Sequence, residues 1–248
     1  MEIYNRDFTI TYKDDKSPLT EADTMANKII CEALSKAYPE TPLLSEENKA
    51  EEYEVRRHWD YFWLIDPIDG TKEFIKKNGE FTVNIALIHK GEPVLGVVYA
   101  PAIGEMYKAK KGTGAYKSVL SPTGRVVQEE KLPLNKNRTP EKHLVIVASK
   151  SHLSKETQEF INEIAQTTTD LTQISKGSSL KLVMVAEGSA DIYPRLFPTM
   201  EWDTGAADAI VREAGKMTYQ YNSDKKAKNN QALTYNKANL LNPWFIVK

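Results

Sequence analysis

Residues 61–65 are continuously apolar, and the chain then runs into Asp66-Pro67-Ile68-Asp69-Gly70-Thr71. A run that is apolar at every position suits a strand buried on both faces. Pro67 fixes its own φ and supplies no N–H, so the chain turns sharply between the two aspartates. Two carboxylates three residues apart at a strand end can converge on one point, and oxygen-only ligands favour a hard cation such as Mg²⁺. Gly70 lets a phosphate approach the backbone closely. Thr71 opens a short helix over residues 72–76, whose free N–H groups face an anion. The plainer reading makes Asp69-Gly70 a hairpin corner and Asp66 a solvated cap.

Two further acidic positions strengthen the cation reading. Glu46 and Glu47 follow the short apolar strand end Leu43-Leu44-Ser45, and Asp203 follows Trp202 at the start of the last helix. Singly, Glu46 reads as a surface acid and Asp203 as a helix N-cap. Together, four carboxylates at element ends could neutralise two or three divalent cations. Thr20-Glu21-Ala22-Asp23 opens a helix as a capping box; in a functional reading Asp23 accepts a proton from Thr71, and the pair orients an attacking water. Ser178 and Lys181 stand at a helix start in Lys176-Gly177-Ser178-Ser179-Leu180-Lys181, and Arg195 follows Tyr193-Pro194. These suit contacts to a second phosphate, beside the plainer reading of capping and solvated charge.

The remaining chain divides by texture. Residues 1–131 read as helix plus a mostly antiparallel sheet: a helix over 21–38, with Ala22, Met25, Ile29, Ala33 and Ala37 on one face, then strands at 81–88, 94–100 and 105–109 and a turn at 111–114. Residues 132–142, rich in Pro, Asn and Lys, read as a linker. Strands at 144–148 and 190–193 then alternate with helices at 153–165, 178–187 and 203–214, an α/β pattern over residues 132–248. Two halves of different texture place a site in the crevice between them.

Composition excludes several functions. With 33 Lys+Arg against 34 Asp+Glu the formal net charge is −1, which gives no reason to expect nucleic acid as a partner. No apolar stretch is long enough to span a membrane, and the N-terminal residues lack a signal-peptide pattern. The single Cys31 forms no internal disulfide, and with four scattered histidines it supports no zinc cluster. A cytoplasmic protein is expected; a loose contact with the inner face of a cell membrane needs no anchor and stays compatible. Gly112-Thr113-Gly114 is a turn, since position 117 is Lys, and Lys225, Lys226 and Lys228 read as a solvated basic loop.

Trp63-Leu64-Ile65-Asp66-Pro67-Ile68-Asp69-Gly70-Thr71 and Glu201-Trp202-Asp203-Thr204-Gly205-Ala206-Ala207 resemble the two signatures of the inositol monophosphatase superfamily. The resemblance runs from Ser17-Pro18-Leu19-Thr20 to Leu241-Asn242-Pro243-Trp244-Phe245. Gly70-Thr71-Lys72-Glu73-Phe74-Ile75, the stretch from Asn78 to Leu87, and Gly177-Ser178-Ser179-Leu180-Lys181 are similar to its bacterial CysQ branch. The resemblance implies a layered α-β-α-β-α sandwich and a Mg²⁺-dependent, lithium-sensitive phosphatase of sulfur metabolism. Its substrate would be the small molecule adenosine 3′,5′-bisphosphate, converted to AMP and phosphate, and no protein partner is implied. It makes Glu46, Asp66, Asp69, Asp203 and the Ile68 carbonyl ligands to two or three ions. Asp23 and Thr71 would be the water-activating pair. Glu46, Ile68, Asp69, Gly70, Thr71, Asp203, Ser178, Lys181 and Arg195 would touch substrate.

Three departures stand beside this. Family members carry a further helix ahead of the segment matching Tyr4, and Met1-Glu2-Ile3-Tyr4 looks like its tail, which affects packing, stability and any dimer contact. Lys216 stands where a second glycine usually follows Gly215. Glu73 replaces the Asn that inositol monophosphatases carry, so Lys72-Glu73 and the 178–181 stretch argue against inositol phosphate or fructose bisphosphate as substrate. Besides those substrates, a non-catalytic nucleotide-binding protein is the alternative from another class.

Overall fold

The computed structural model describes residues 1–13, 17–135, 143–222 and 231–248. Strands β1 (Ile10–Tyr12) and β2 (Pro18–Thr20) pair antiparallel and lead into α1 (Glu21–Ala37). Thr20 caps α1 in a full capping box with Asp23. Then follow β3 (Leu43–Ser45), α2 (Tyr53–Arg56), β4 (Tyr61–Asp69) and α3 (Thr71–Ile75). A meander completes the first sheet: β5 (Thr82–His89), β6 (Glu92–Ala100), β7 (Glu105–Lys110), β8 (Gly114–Leu120) and β9 (Val126–Lys131). Strands β3 to β9 lie side by side in chain order, all neighbours antiparallel except β3 with β4.

The C-terminal part starts with β10 (Leu144–Ser149), α4 (Lys155–Ala165) and β11 (Leu171–Lys176), the two strands parallel. After α5 (Leu180–Glu187) come β12 (Tyr193–Arg195), a 3₁₀ turn at Glu201–Asp203, and α6 (Gly205–Glu213). Strands β13 (Thr218–Gln220) and β14 (Phe245–Val247) close a small sheet in the order β12-β14-β13. This sheet meets β10 through a parallel bridge between Ile146 and Ile192.

Strand β4 is buried along almost its whole length because both faces are covered. Trp63 meets Tyr38 at the end of α1, while the next residue, Leu64, meets Gly205 of α6. α5 packs beside α6, and its buried apolar face continues into Val145 and Val147 of β10. Ile161 of α4 lies against Ile146 and Ala148 on the far side. The order of layers is therefore α, β, α, β, α, as expected from the resemblance.

Several expectations need correction. Met25 and Ile29 are 52% and 61% exposed, so the apolar face of α1 read from periodicity is not the face it buries. The helix expected from Ser178 starts at Leu180 because Ser178 adopts a positive φ of 46°. The strand expected at 190–193 is displaced to Tyr193–Arg195. The single helix expected over 203–214 is broken at Thr204 between the 3₁₀ turn and α6. The basic loop with Lys225, Lys226 and Lys228, and most of the expected linker, lie outside the described residues. Among the described residues no helix is long and apolar enough to cross a membrane; the expected peripheral membrane contact gains no support.

α6 approaches the sheet so closely because its first residues are small. A Cβ on Gly96 of β6 would lie 2.1 Å from the Ala206 carbonyl oxygen and 2.8 Å from Ala209 Cβ. Gly96→Ala is expected to push α6 off the sheet at a cost of about 1–3 kcal/mol, read as a lower midpoint in urea unfolding with unchanged slope.

Candidate active site

The end of β4 carries the feature that builds the site. Residues three apart on a regular strand point to opposite faces. Here Asp66 pairs with Asn84 and Asp69 with Thr82, so three steps on β4 match two on β5. This bulge, at Pro67-Ile68, restores Asp66 and Asp69 to the same side, and Pro67 fits because it needs no ladder partner. Both aspartates line a cleft of about 280 Å³ with Glu46, Ile68 and Asp203.

The acids reach that cleft from separate elements. Glu46 follows β3, and its Oε1 accepts an ion pair from Lys13 at 2.8 Å, while Glu47 takes the same ammonium at 2.7 Å. Asp66 Oδ1 accepts the Ile68 N–H at 3.1 Å, Asp69 Oδ2 accepts from Ser179, and Asp203 Oδ2 accepts the Met200 N–H at 2.9 Å. Among the described residues no three acids stand in a ready-made ligand cluster. Each is turned toward a nearby donor.

The electrostatics show what these donors leave unbalanced. Burial, then Glu46, Asp69 and Asp203, push the Asp66 carboxyl well above its ordinary value. Burial, then Asp69, push Asp203 up to about 8. Crowded, buried acids with oxygen-only donors, the Ile68 carbonyl among them, can hold a hard divalent cation, which would relieve this repulsion. The donor set fits Mg²⁺.

Thr71 stands at the start of α3, and its Oγ1 donates to Asp23 Oδ1 at 3.1 Å. Asp23 does not line the cleft. It reaches the cleft through Thr71, while its Oδ2 accepts from Thr20 N–H and Oγ1 at 2.8 and 2.6 Å. Capping and contact with Thr71 therefore coexist in one side chain. Gly70 lines the cleft at φ 90°, a conformation L side chains rarely adopt, which accounts for glycine there.

Cations line the same cleft. Ser178, Lys181 and Arg195 all line it. Lys181 is buried, and its ammonium donates to the Ser178 carbonyl. Arg195 donates to the carbonyls of His152 and Pro198, and its buried Nε has no partner among the described residues.

Four residues singled out for no role also take part. Asn84 donates to Ser179 Oγ at 2.9 Å, and Lys72 Nζ lies 3.0 Å from His152 Nε2. Burial, with Lys72 and Arg195 beside it, pulls His152 down to about 4, so the ring is a neutral acceptor. Glu73 is almost fully buried and forms part of the cleft wall. The available signal for His152 was Ser149-Lys150-Ser151-His152 just past a strand, since ligands gather at the carboxyl ends of parallel strands.

A layered sandwich with crowded acids facing cations across a cleft defines a metal-assisted phosphatase architecture. The sequence profile described as the inositol monophosphatase family matches residues 1–245, and the chain belongs to that family. Enzymes of the family use Mg²⁺. The chain is 44% identical over 224 residues to the 3′(2′),5′-bisphosphate nucleotidase CysQ of Salmonella typhimurium, covering 89% of this chain and 84% of the relative. It is 42% identical to the protein of the same name from Escherichia coli, with the same coverage. The crystal structure of CysQ from Bacteroides thetaiotaomicron superposes with a TM-score of 0.85 at 46% identity, over 100% of this chain and 90% of that one.

The raised carboxyls carry a stability consequence. Asp203 binds its proton in the folded state up to about pH 8 but is ionised above 3.8 when unfolded, so stability falls as pH rises through that window. Thermal melts in a chelator are expected to drop by roughly 5 °C between pH 5 and pH 8, and Mg²⁺ should restore the loss at pH 8.

Proposed function

We propose that this chain is a 3′(2′),5′-bisphosphate nucleotidase that removes the 3′-phosphate of adenosine 3′,5′-bisphosphate, giving AMP and phosphate. The observation that carries this reading is the charge of the cleft, which Glu46, Asp66, Asp69 and Asp203 line together with Lys181 and Arg195. A substrate with two phosphates matches both charge types at once, and the names of the curated relatives point the same way. The division at residues 131 and 132 is compatible with it: Glu46, Asp66 and Asp69 come from the first part, and Asp203, Lys181 and Arg195 from the second.

Glu46, Asp66, Asp69, Asp203 and the Ile68 carbonyl would hold two or three Mg²⁺. Mg²⁺ held by these residues would supply charge neutralisation for the reacting phosphate and the leaving 3′-oxygen. Asp23, pinned by Thr20, keeps the Thr71 proton directed toward itself. The Thr71 oxygen is then left as an acceptor that aligns the attacking water on phosphorus. Ser178, Lys181 and Arg195 hold the 5′-phosphate, and the unpartnered Arg195 Nε gains an acceptor there.

Phosphate release with Mg²⁺ tests the reading directly. Adenosine 3′,5′-bisphosphate is expected to turn over well ahead of inositol 1-phosphate and fructose 1,6-bisphosphate. Asp66→Asn is expected to lower the rate at least about 100-fold. Preference for either sugar phosphate would reject the nucleotide assignment.

Lys181 adds a pH signature. Burial pulls its ammonium down to about 8 against the opposing pull of Asp69. The charge is present below that pH and lost above it, so KM for the bisphosphate should rise between pH 8 and 10. Lys181→Met should show a high, flat KM over the same range.

A further inference from the structure

The segment after β10 is tied, residue by residue, to the other side of the cleft. Lys150 Nζ donates to Glu80 Oε1 at 3.2 Å, Ser151 Oγ donates to Glu73 Oε1, and His152 Nε2 lies 3.0 Å from Lys72 Nζ. The middle tie differs in kind. Glu73 is only 4% exposed, and its carboxylate is met by a hydroxyl instead of a cation. Burying an acid with such a partner is costly, and local rules are most often broken where function requires it.

Glu73 also supports a second wall. A Cβ on Gly177 would lie 2.7 Å from Glu73 Cγ, so the Gly177 backbone rests on this side chain. Its Oε2 lies 3.3 Å from where a Cβ on Gly70 would stand. One side chain thus touches the backbone turn at Gly70, the 150–152 segment and the turn into Ser178. Lys181 and Arg195 depend on the last two. Lys181 follows Gly177 by four residues, and Arg195 donates to the His152 carbonyl.

We propose that Glu73 is a positioning residue. It holds the segments that carry Lys181 and Arg195 in place through Ser151 and Gly177, and so sets the affinity for the nucleoside 5′-phosphate portion of the substrate. This rests on the nucleotidase reading above. Releasing Glu73 lets the two cation-bearing segments shift, while Thr71 stays on Asp23, Asp66 on the Ile68 N–H and Asp203 on the Met200 N–H. Binding of the distal phosphate then weakens and the bond-breaking step persists.

The test compares wild type, Glu73→Gln, Ser151→Ala and the double variant with Mg²⁺. KM for adenosine 3′,5′-bisphosphate and kcat are measured with the inhibition constants of AMP and of inorganic phosphate. Each single variant is expected to raise KM and the AMP constant about ten-fold, keep kcat within about two-fold, and leave the phosphate constant unchanged. The double variant should be no worse than either single, because both act through one bond. Equal rises in the AMP and phosphate constants, a fall in kcat at constant KM, or additive losses would each overturn the proposal. Ser151 is partly exposed, so Ser151→Ala decides the matter alone should Glu73→Gln fail to fold. A wild type that binds AMP yet releases no phosphate would sink the nucleotidase reading and leave the AMP-affinity comparison to judge Glu73.

Discussion

Asp69 Oδ2 receives two bonds from Ser179, one from the backbone N–H at 2.6 Å and one from the hydroxyl at 2.8 Å. The same hydroxyl lies 2.7 Å from the Asp203 carbonyl and accepts from the Asn84 amide at 2.9 Å. Asp69 ends β4, Asn84 lies in β5, Asp203 ends the 3₁₀ turn before α6, and Ser179 caps α5. Four elements from both parts of the chain therefore meet at one serine. Bonds to an ionised acceptor are the stronger kind, and in a buried network their loss costs more than their pairwise sum suggests. Burial pushes the Asp69 carboxyl up, while Lys181, Ser179 and Asn84 pull against it. This knot fixes where the acids stand relative to the cations, and the cleft exists because of it.

The parts legible in the sequence were those whose chemistry is concentrated locally. Asp66 to Thr71 and Asp203 stand within short motifs, and β4 announces itself by unbroken apolarity. The bulge between Asp66 and Asp69 was not legible, because a register shift belongs to a pair of strands. Strand β9, Val126–Lys131, is exposed along its length and held by its ladder with β8, so no hydrophobic alternation reveals it. α1 shows the converse. Its periodicity is real, yet periodicity does not say which face is covered, and Met25 and Ile29 stand outside. Asn84 meets Ser179 across 95 residues and Glu73 meets Ser151 across 78, separations at which sequence order carries no signal of contact.

Each charge cluster of the cleft is unfavourable by itself. Burial and then the neighbouring acids raise Asp66 and Asp203, and Lys181 is buried enough to lower its own affinity for a proton. Packing alone would select against both arrangements, since an uncompensated buried charge is among the costlier features a fold can keep. On the nucleotidase reading the missing partners are divalent cations for the acids and a second phosphate for the cations. A substrate with a single phosphate satisfies the acids through the metal and leaves the Arg195 Nε without an acceptor. The bisphosphate satisfies both, and the binding energy of its remote phosphate can be used to hold the reacting phosphate against Thr71. Selectivity then follows from two separately unstable charge clusters lining one cleft.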